Sequence, residues 1–507
     1  MLLEPLVITS QQVAATQSRN AKVRLLAACL AQLSPAELPI GVAFLSGEPR
    51  QGRIGIGHAV LRGLSAPPAP VSALTIDQVD AVLERIASTR GSGAGAQRLE
   101  QLVALFANAT TVEQDFLYRL LLGELRQGAL EGIMLDAIAQ AFAVSESTLR
   151  RALMLAGDLG SVARVARERG DAGLAEFRLQ VFRPVQPMLA QTAADTAEAL
   201  AKLKRAALEW KLDGARVQVH REGADVRVFT RQLNDVTAAV PELVDAALRL
   251  PARAFVLDGE AIAIQPDGKP QPFQVTMRRF GRRLDVDALR QSLPLSSFFF
   301  DVLHLDGEDV LDRPASERVR ALSALVPAEH AIERAVVEDP DEADAFLRRA
   351  LAAGHEGVVA KSLSASYDAG RRGGSWLKIK RAHTLDLVVL AAEWGSGRRK
   401  GTLSNLHLGA RAASGEFVML GKTFKGMTDE MLKWQTQHLL GLEVARDAFT
   451  VYVRPSLVVE VAFDGVQRSP QYPGGVALRF ARIKGYRHDK PASEADTLES
   501  VLGLGGG

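Results

Sequence analysis

The sequence predicts a multidomain chain with an all-α N-terminal domain, a mixed α/β middle domain and a C-terminal β-barrel. Three observations predict it. Ala- and Leu-rich stretches at helical spacing fill the first third. Short strand-like runs with helices between them begin after Arg183-Pro184-Val185-Gln186-Pro187. From Leu385 onward, alternating apolar runs punctuated by glycine take over. The domains are therefore expected at residues 1–183, 184–383 and 384–507. With 47% hydrophobic and 24% charged residues in 507, each can bury a core, which excludes a disordered or fibrous chain.

In the first region Thr75 caps an amphipathic run that starts at Ile76. Asp115-Phe116-Leu117-Tyr118-Arg119-Leu120-Leu121-Leu122 and residues 133–142 keep the same 3.6-residue rhythm. Gly91-Ser92-Gly93-Ala94-Gly95-Ala96 reads as a loop. In the second region the strands are Val217-Gln218-Val219-His220, Val226-Arg227-Val228-Phe229, Phe255-Val256-Leu257 and Ser297-Phe298-Phe299-Phe300, with a helix over residues 241–250. In the third they are Leu387-Val388-Val389-Leu390, Phe417-Val418-Met419-Leu420 and Leu457-Val458-Val459-Glu460-Val461.

Charge and cysteine usage exclude several classes. There are 61 Lys+Arg against 59 Asp+Glu, a net charge of +2, so any nucleic-acid footprint must be local. Residues 1–180 balance at 17 basic and 17 acidic, whereas residues 384–490 hold 15 basic and 10 acidic. The single cysteine, Cys29, can build neither an internal disulfide nor a cysteine-rich zinc module. The N-terminus has no basic n-region, and the apolar run at residues 293–305 is too short to span a bilayer. A cytoplasmic protein with no membrane partner is expected.

The chemistry centres on Glu209-Trp210-Lys211-Leu212-Asp213-Gly214-Ala215-Arg216. A Lys before Asp-Gly, between a helical run and a strand, can be a nucleophile held at a turn. It can equally be a surface Lys before a β-turn. Downstream follow Thr230-Arg231-Gln232-Leu233-Asn234-Asp235, Leu257-Asp258-Gly259-Glu260, Phe299-Phe300-Asp301, Glu356-Gly357-Val358-Val359-Ala360-Lys361 and Ser375-Trp376-Leu377-Lys378-Ile379-Lys380. This ordered set resembles the covalent nucleotidyltransferases, the polynucleotide ligases and mRNA capping enzymes.

Two further stretches narrow the resemblance. Gly421-Lys422-Thr423-Phe424-Lys425-Gly426-Met427-Thr428-Asp429-Glu430 and Leu478-Arg479-Phe480-Ala481-Arg482-Ile483-Lys484-Gly485-Tyr486-Arg487-His488-Asp489-Lys490 resemble the barrel-domain motifs of three-domain ATP-dependent DNA ligases, with Ala481 where that family usually has Pro. The helical segment from Phe116 to Gly128 resembles their N-terminal DNA-binding domain, and the whole is most similar to the bacterial DNA ligase B type. The resemblance implies an ATP-grasp-like nucleotidyltransferase (adenylation) core of α+β class and a C-terminal OB-fold.

It also implies roles. Lys211 would attack the α-phosphate of ATP and carry AMP. Glu209 would accept a hydrogen bond from the adenine amino group, and Phe300 would offer a flat face to the purine. Arg216, Arg231, Arg372, Lys378 and Lys380 would hold the phosphates. Glu260 and Glu356 would be hard ligands for Mg²⁺, which Mn²⁺ can replace, and Glu260 would also touch the ribose. Lys484, Arg487 and Lys490 would serve the first, self-adenylating step. The partner would be nicked double-stranded DNA bound by a monomer close to the bacterial nucleoid; a sliding-clamp partner is left open.

Other motifs do not hold. Residues 415–423 end in Gly-Lys-Thr, one residue too long for a P-loop. NAD-dependent ligases carry a four-cysteine zinc module that one Cys cannot build, so ATP is the better donor. An mRNA capping guanylyltransferase or an RNA ligase is the same-chemistry alternative. A DNA-clamping protein with dead ligase machinery is the alternative from another class, although no candidate Lys or carboxylate is missing.

Overall fold

The computed structural model describes residues 1–504 except 53, 126, 130, 281–284, 369–371 and 381–382; the side chains of 372 and 398 are also outside the described set. The chain divides into two compact units, Met1–Lys378 and Ile379–Gly507.

The first unit begins with ten described helices between Leu3–Ala15 and Leu159–Leu174. Ile76–Ser88 starts where the sequence places it, with a Thr75/Gln78 capping box, and buries Ile76, Val79, Leu83 and Ile86. Thr111–Leu122 is capped by Thr110 and Glu113 and stops at Gly123 in the left-handed region. The expected loop at residues 91–96 is shorter, because the helix Ala94–Ala107 already begins at Ala94. The helices share one core that includes Leu26, Phe44, Leu83, Leu117 and Ile138.

Two five-stranded sheets follow. The first is built from β1 (Leu189–Thr192), β2 (Ala206–Lys211), β8 (Arg334–Val337), β9 (Gly357–Ser362) and β10 (Arg372–Lys380), in the order β1-β10-β9-β2-β8. The second is built from β3 (Ala215–Glu222), β4 (Asp225–Thr230), β5 (Ala254–Ala263), β6 (Leu295–Leu305) and β7 (Glu308–Asp309), in the order β4-β3-β5-β6-β7. All four strands predicted for this region lie inside β3, β4, β5 and β6. The helices dock on these sheets: Met154 and Leu155 share a cluster with Val185, Val256, Leu303 and Leu311, and Arg151 pairs with Asp312 at 2.6 Å.

The second unit holds β11 (His383–Trp394), β12 (Leu403–Arg411), β13 (Phe417–Thr423), β14 (Glu443–Arg446), β15 (Thr450–Val453), β16 (Val458–Phe463), β17 (Gly465–Arg468), β18 (Val476–Arg479) and β19 (Arg482–Tyr486). The expected closed barrel is not formed among the described residues. Seven strands make an open, branched sheet, β13-β12-β11-β15-β14, with β16 pairing β11 and β19. The branch arises because β11 is long enough to pair β16 through His383–Val388 and β15 through Ala391–Glu393. The segment after β13 meets the start of β19 through bonds such as Ile483 N to Lys425 O at 3.0 Å and Thr423 Oγ1 to Ala481 O at 2.6 Å rather than through a ladder. Among the described residues no helix is long and apolar enough to cross a membrane.

Candidate active site

Lys211 ends β2, just before the turn into β3. A Cβ on Gly214 would stand 2.4 Å from the Ala261 carbonyl oxygen and 3.0 Å from Glu260 Cγ, so only glycine lets the turn press against β5. Lys211 lies opposite Gly357 in the β2–β9 ladder, and the Glu356 N–H donates to the Lys211 carbonyl at 3.1 Å. That register brings the Lys211 amine into an ion pair with the Glu356 carboxylate; both side chains are largely shielded.

Arg216 is opposite Glu260 in the β3–β5 ladder, so both side chains share one face with Asp258. The Arg216 guanidinium forks onto Asp258 at 3.0 and 2.6 Å and donates to the Met188 carbonyl at 2.6 Å. The Tyr367 hydroxyl donates to Asp258 at 2.6 Å and accepts from the Met188 N–H at 3.0 Å. Burial pushes the Glu260 carboxyl up to about 7, against the opposing pull of Lys211 and Arg216.

The floor of the site is aromatic and charged. Phe300 and Trp376 meet edge to face at 6.0 Å, and the Arg216 guanidinium lies over both rings. The Glu209 carboxylate is buried and paired with Arg334 and with Lys361, each at 2.6 Å. The two sheets of the first unit therefore bring the Lys211 amine, the Glu260 and Glu356 carboxylates, the Arg216 guanidinium and a flat aromatic surface to one place. Such a set can bind a purine nucleotide and present an amine to its phosphate. Among the described residues no group of three or more His, Cys, Asp or Glu could hold a metal alone. A hard cation held by one or two carboxylates plus phosphate oxygens and water fits this donor set.

Family models match three successive segments: a DNA ligase N terminus over residues 58–139, an ATP dependent DNA ligase domain over 187–380 and an ATP dependent DNA ligase C terminal region over 399–490. The chain belongs to the ATP-dependent DNA ligase family. A "Probable DNA ligase" of an Anaeromyxobacter species is 60% identical, with 99% of this chain and 98% of that protein covered. A "DNA ligase B" of Mycobacterium tuberculosis is 56% identical, with 99% of this chain and 100% of that protein covered. The solved structure Pmar-Lig_PreS3 covers 95% of this chain and 99% of its own, with a TM-score of 0.62 at 17% identity, a likeness of fold. As a family member the chain is an ATP-dependent ligase that uses ATP and a divalent metal cation and binds DNA.

The ligase gathers only part of the expected residue set. Lys211, Glu209, Arg216, Glu260, Phe300 and Glu356 converge within the first unit. Arg231 is exposed just past β4, and Lys378 is half-buried in β10. The Arg372 side chain lies outside the described residues. Lys380 falls in the second unit, where it pairs with Asp464 at 3.2 Å. In that unit Lys484 is exposed, while Arg487 and Lys490 both bond Asp386, at 2.7 and 2.8 Å. Asp258, Tyr367, Arg334, Lys361 and Trp376 were not singled out by sequence. Asp258, Lys361 and Trp376 stand inside the quoted motifs; Tyr367 and Arg334 carry no local signal.

Proposed function

We propose that this ligase seals nicks in duplex DNA through a lysyl-AMP intermediate on Lys211. The observation that carries the reading is the Lys211 amine at the end of β2, ion-paired with Glu356 and set beside Arg216 and Glu260. In the first step the Lys211 Nζ attacks the α-phosphorus of ATP. An N–P bond forms, the P–O bond to the β-phosphate breaks, and pyrophosphate leaves. The amine must shed its proton before it attacks, which breaks its ion pair with Glu356. AMP then passes to the 5′-phosphate of the nick, and the 3′-hydroxyl displaces it.

The surrounding residues have matching roles. Arg216, Arg231, Arg372, Lys378 and Lys380 balance phosphate charge, Phe300 stacks on the base, and Glu209 accepts from its amino group. Glu260 and Glu356 are the hard oxygen ligands for Mg²⁺, which Mn²⁺ can replace. A bound cation offsets the charge that develops on the phosphoryl oxygens. The helical region 1–183, the core 184–383 and the region 384–507, whose residues 384–490 hold 15 basic and 10 acidic residues, each contribute backbone contacts to the nicked duplex. One chain supplies every group named, which suits a monomer, and a DNA substrate would put the ligase in the cytoplasm at the bacterial nucleoid.

Lys211 provides the test. Arg keeps the charge but cannot be deprotonated in a protein, so Lys211→Arg and Lys211→Ala should be equally inactive in forming the AMP adduct. The protein is incubated with ATP labelled at the α-phosphate and the modified peptide is mapped. Label on any other residue, or an active Lys211→Arg, overturns the reading.

A further inference from the structure

Glu209 sits at the centre of a buried charged cluster. It lies in β2, opposite Arg334 on β8 and opposite Val359 on β9, with Lys361 two residues along β9. Arg334 donates Nε to Oε1 at 2.8 Å and places Nη2 2.6 Å from the same oxygen. Lys361 Nζ is 2.6 Å from Oε2. Glu209 is 3% exposed and Lys361 5%. Two cations on one carboxylate leave a net positive charge away from water, and the Lys361 ammonium rests 4.4 and 4.0 Å from the Phe300 and Trp376 ring centroids. Arg334 also donates to the Phe300 carbonyl at 3.0 Å, which ties the acid to the strand that carries the flat ring.

This arrangement constrains what Glu209 can do to a base. An ion-paired carboxylate only accepts hydrogen bonds, whereas a neutral carboxyl also donates. Adenine presents an amino donor at its 6-position, and guanine presents a carbonyl acceptor there. We propose that Arg334 and Lys361 are positioning residues that set nucleotide choice, by fixing Glu209 as an oriented, acceptor-only reader of the purine 6-substituent. This rests on the reading that Glu209 faces the base. A buried acid stripped of one cation is less firmly oriented, and that weakens the preference for ATP over GTP.

The test measures transfer of label from ATP and from GTP to the full-length protein, with kcat and KM for each. Wild type is compared with Glu209→Gln, Arg334→Gln, Arg334→Lys and Lys361→Met. Glu209→Gln presents a donor as well as an acceptor and should lower the ATP-to-GTP ratio of kcat/KM by about tenfold or more. Arg334→Gln and Lys361→Met should lower the same ratio by about tenfold, through KM for ATP. Arg334→Lys should retain more preference than Arg334→Gln, and this pair carries the test should Lys361→Met not fold. An unchanged ratio in Glu209→Gln removes Glu209 from the base and takes the inference with it. A lowered ratio in Glu209→Gln, with ATP and GTP use falling in equal proportion in the cation variants, makes Arg334 and Lys361 structural only and overturns the inference alone.

Discussion

Glu260 is the residue whose setting makes its own energetic statement. Burial on β5 pushes its carboxyl up to about 7, well above the value of an unfolded chain. At low pH both states carry the proton. As pH rises, the unfolded chain gives its proton up first, so the folded state loses stability progressively until the folded value is reached. Glu260→Gln removes that loss. Its stability relative to wild type should therefore grow by about 1–3 kcal/mol between about pH 5 and about pH 8. Denaturant unfolding without divalent metal reads this gap. Added divalent cation should narrow it, because a cation beside the carboxylate favours the charged form. Self-adenylation by the variant should fall on the order of a hundredfold. A gap that does not move with pH would mean that the carboxyl is not desolvated.

At the scale of elements, the turn between β2 and β3 is fixed by a single missing Cβ. The atom that alanine would meet at Gly214 is the backbone oxygen of Ala261, at 2.4 Å, which no side-chain rotation can relieve. Gly214→Ala should cost about 2–4 kcal/mol, or displace Lys211 from Glu356 and lower self-adenylation with little change in KM. A melting curve and single-turnover labelling separate the two, and an unperturbed variant would show that the turn has room. The Lys-Leu-Asp-Gly motif was legible through its resemblance to a family motif, although the contact that fixes Gly214 is with Ala261 on a distant strand. The helix at Ile76–Ser88 and strands β3 to β6 were legible because period and caps are written in neighbouring residues. Arg334 and Tyr367 were not legible. Each reaches the site by pairing or bonding across segments distant in sequence, Arg334 to Glu209 and Tyr367 to Asp258, and the alternation of a strand says nothing about its neighbour. The barrel was misread on the same ground. Alternating runs predict strands, but whether the ladder closes depends on long-range pairing, and here β11 splits its edge between β15 and β16.

For the whole molecule, the question is what the second unit contributes to each step of the reaction. The three cations expected there to serve the first step differ in setting. Arg487 and Lys490 both grip the buried Asp386, whereas Lys484 points from β19 to solvent. The first two therefore have structural work that Lys484 lacks. Removing residues 476–507 would test little, since it deletes β18 and β19 and with them the core residues Val476, Ile483 and Val501. Point variants separate the roles. Arg487→Ala leaves Asp386 with one cation fewer, Lys490 alone, and should lower the melting temperature. Lys484→Ala should melt like wild type. If its charge serves pyrophosphate departure, self-adenylation should fall by about tenfold or more while sealing of a pre-adenylated nick stays near wild type, because no pyrophosphate leaves in the later steps. Equal loss of both activities would assign Lys484 to DNA binding instead, and that outcome should carry a shallower salt dependence of DNA affinity, by about one charge.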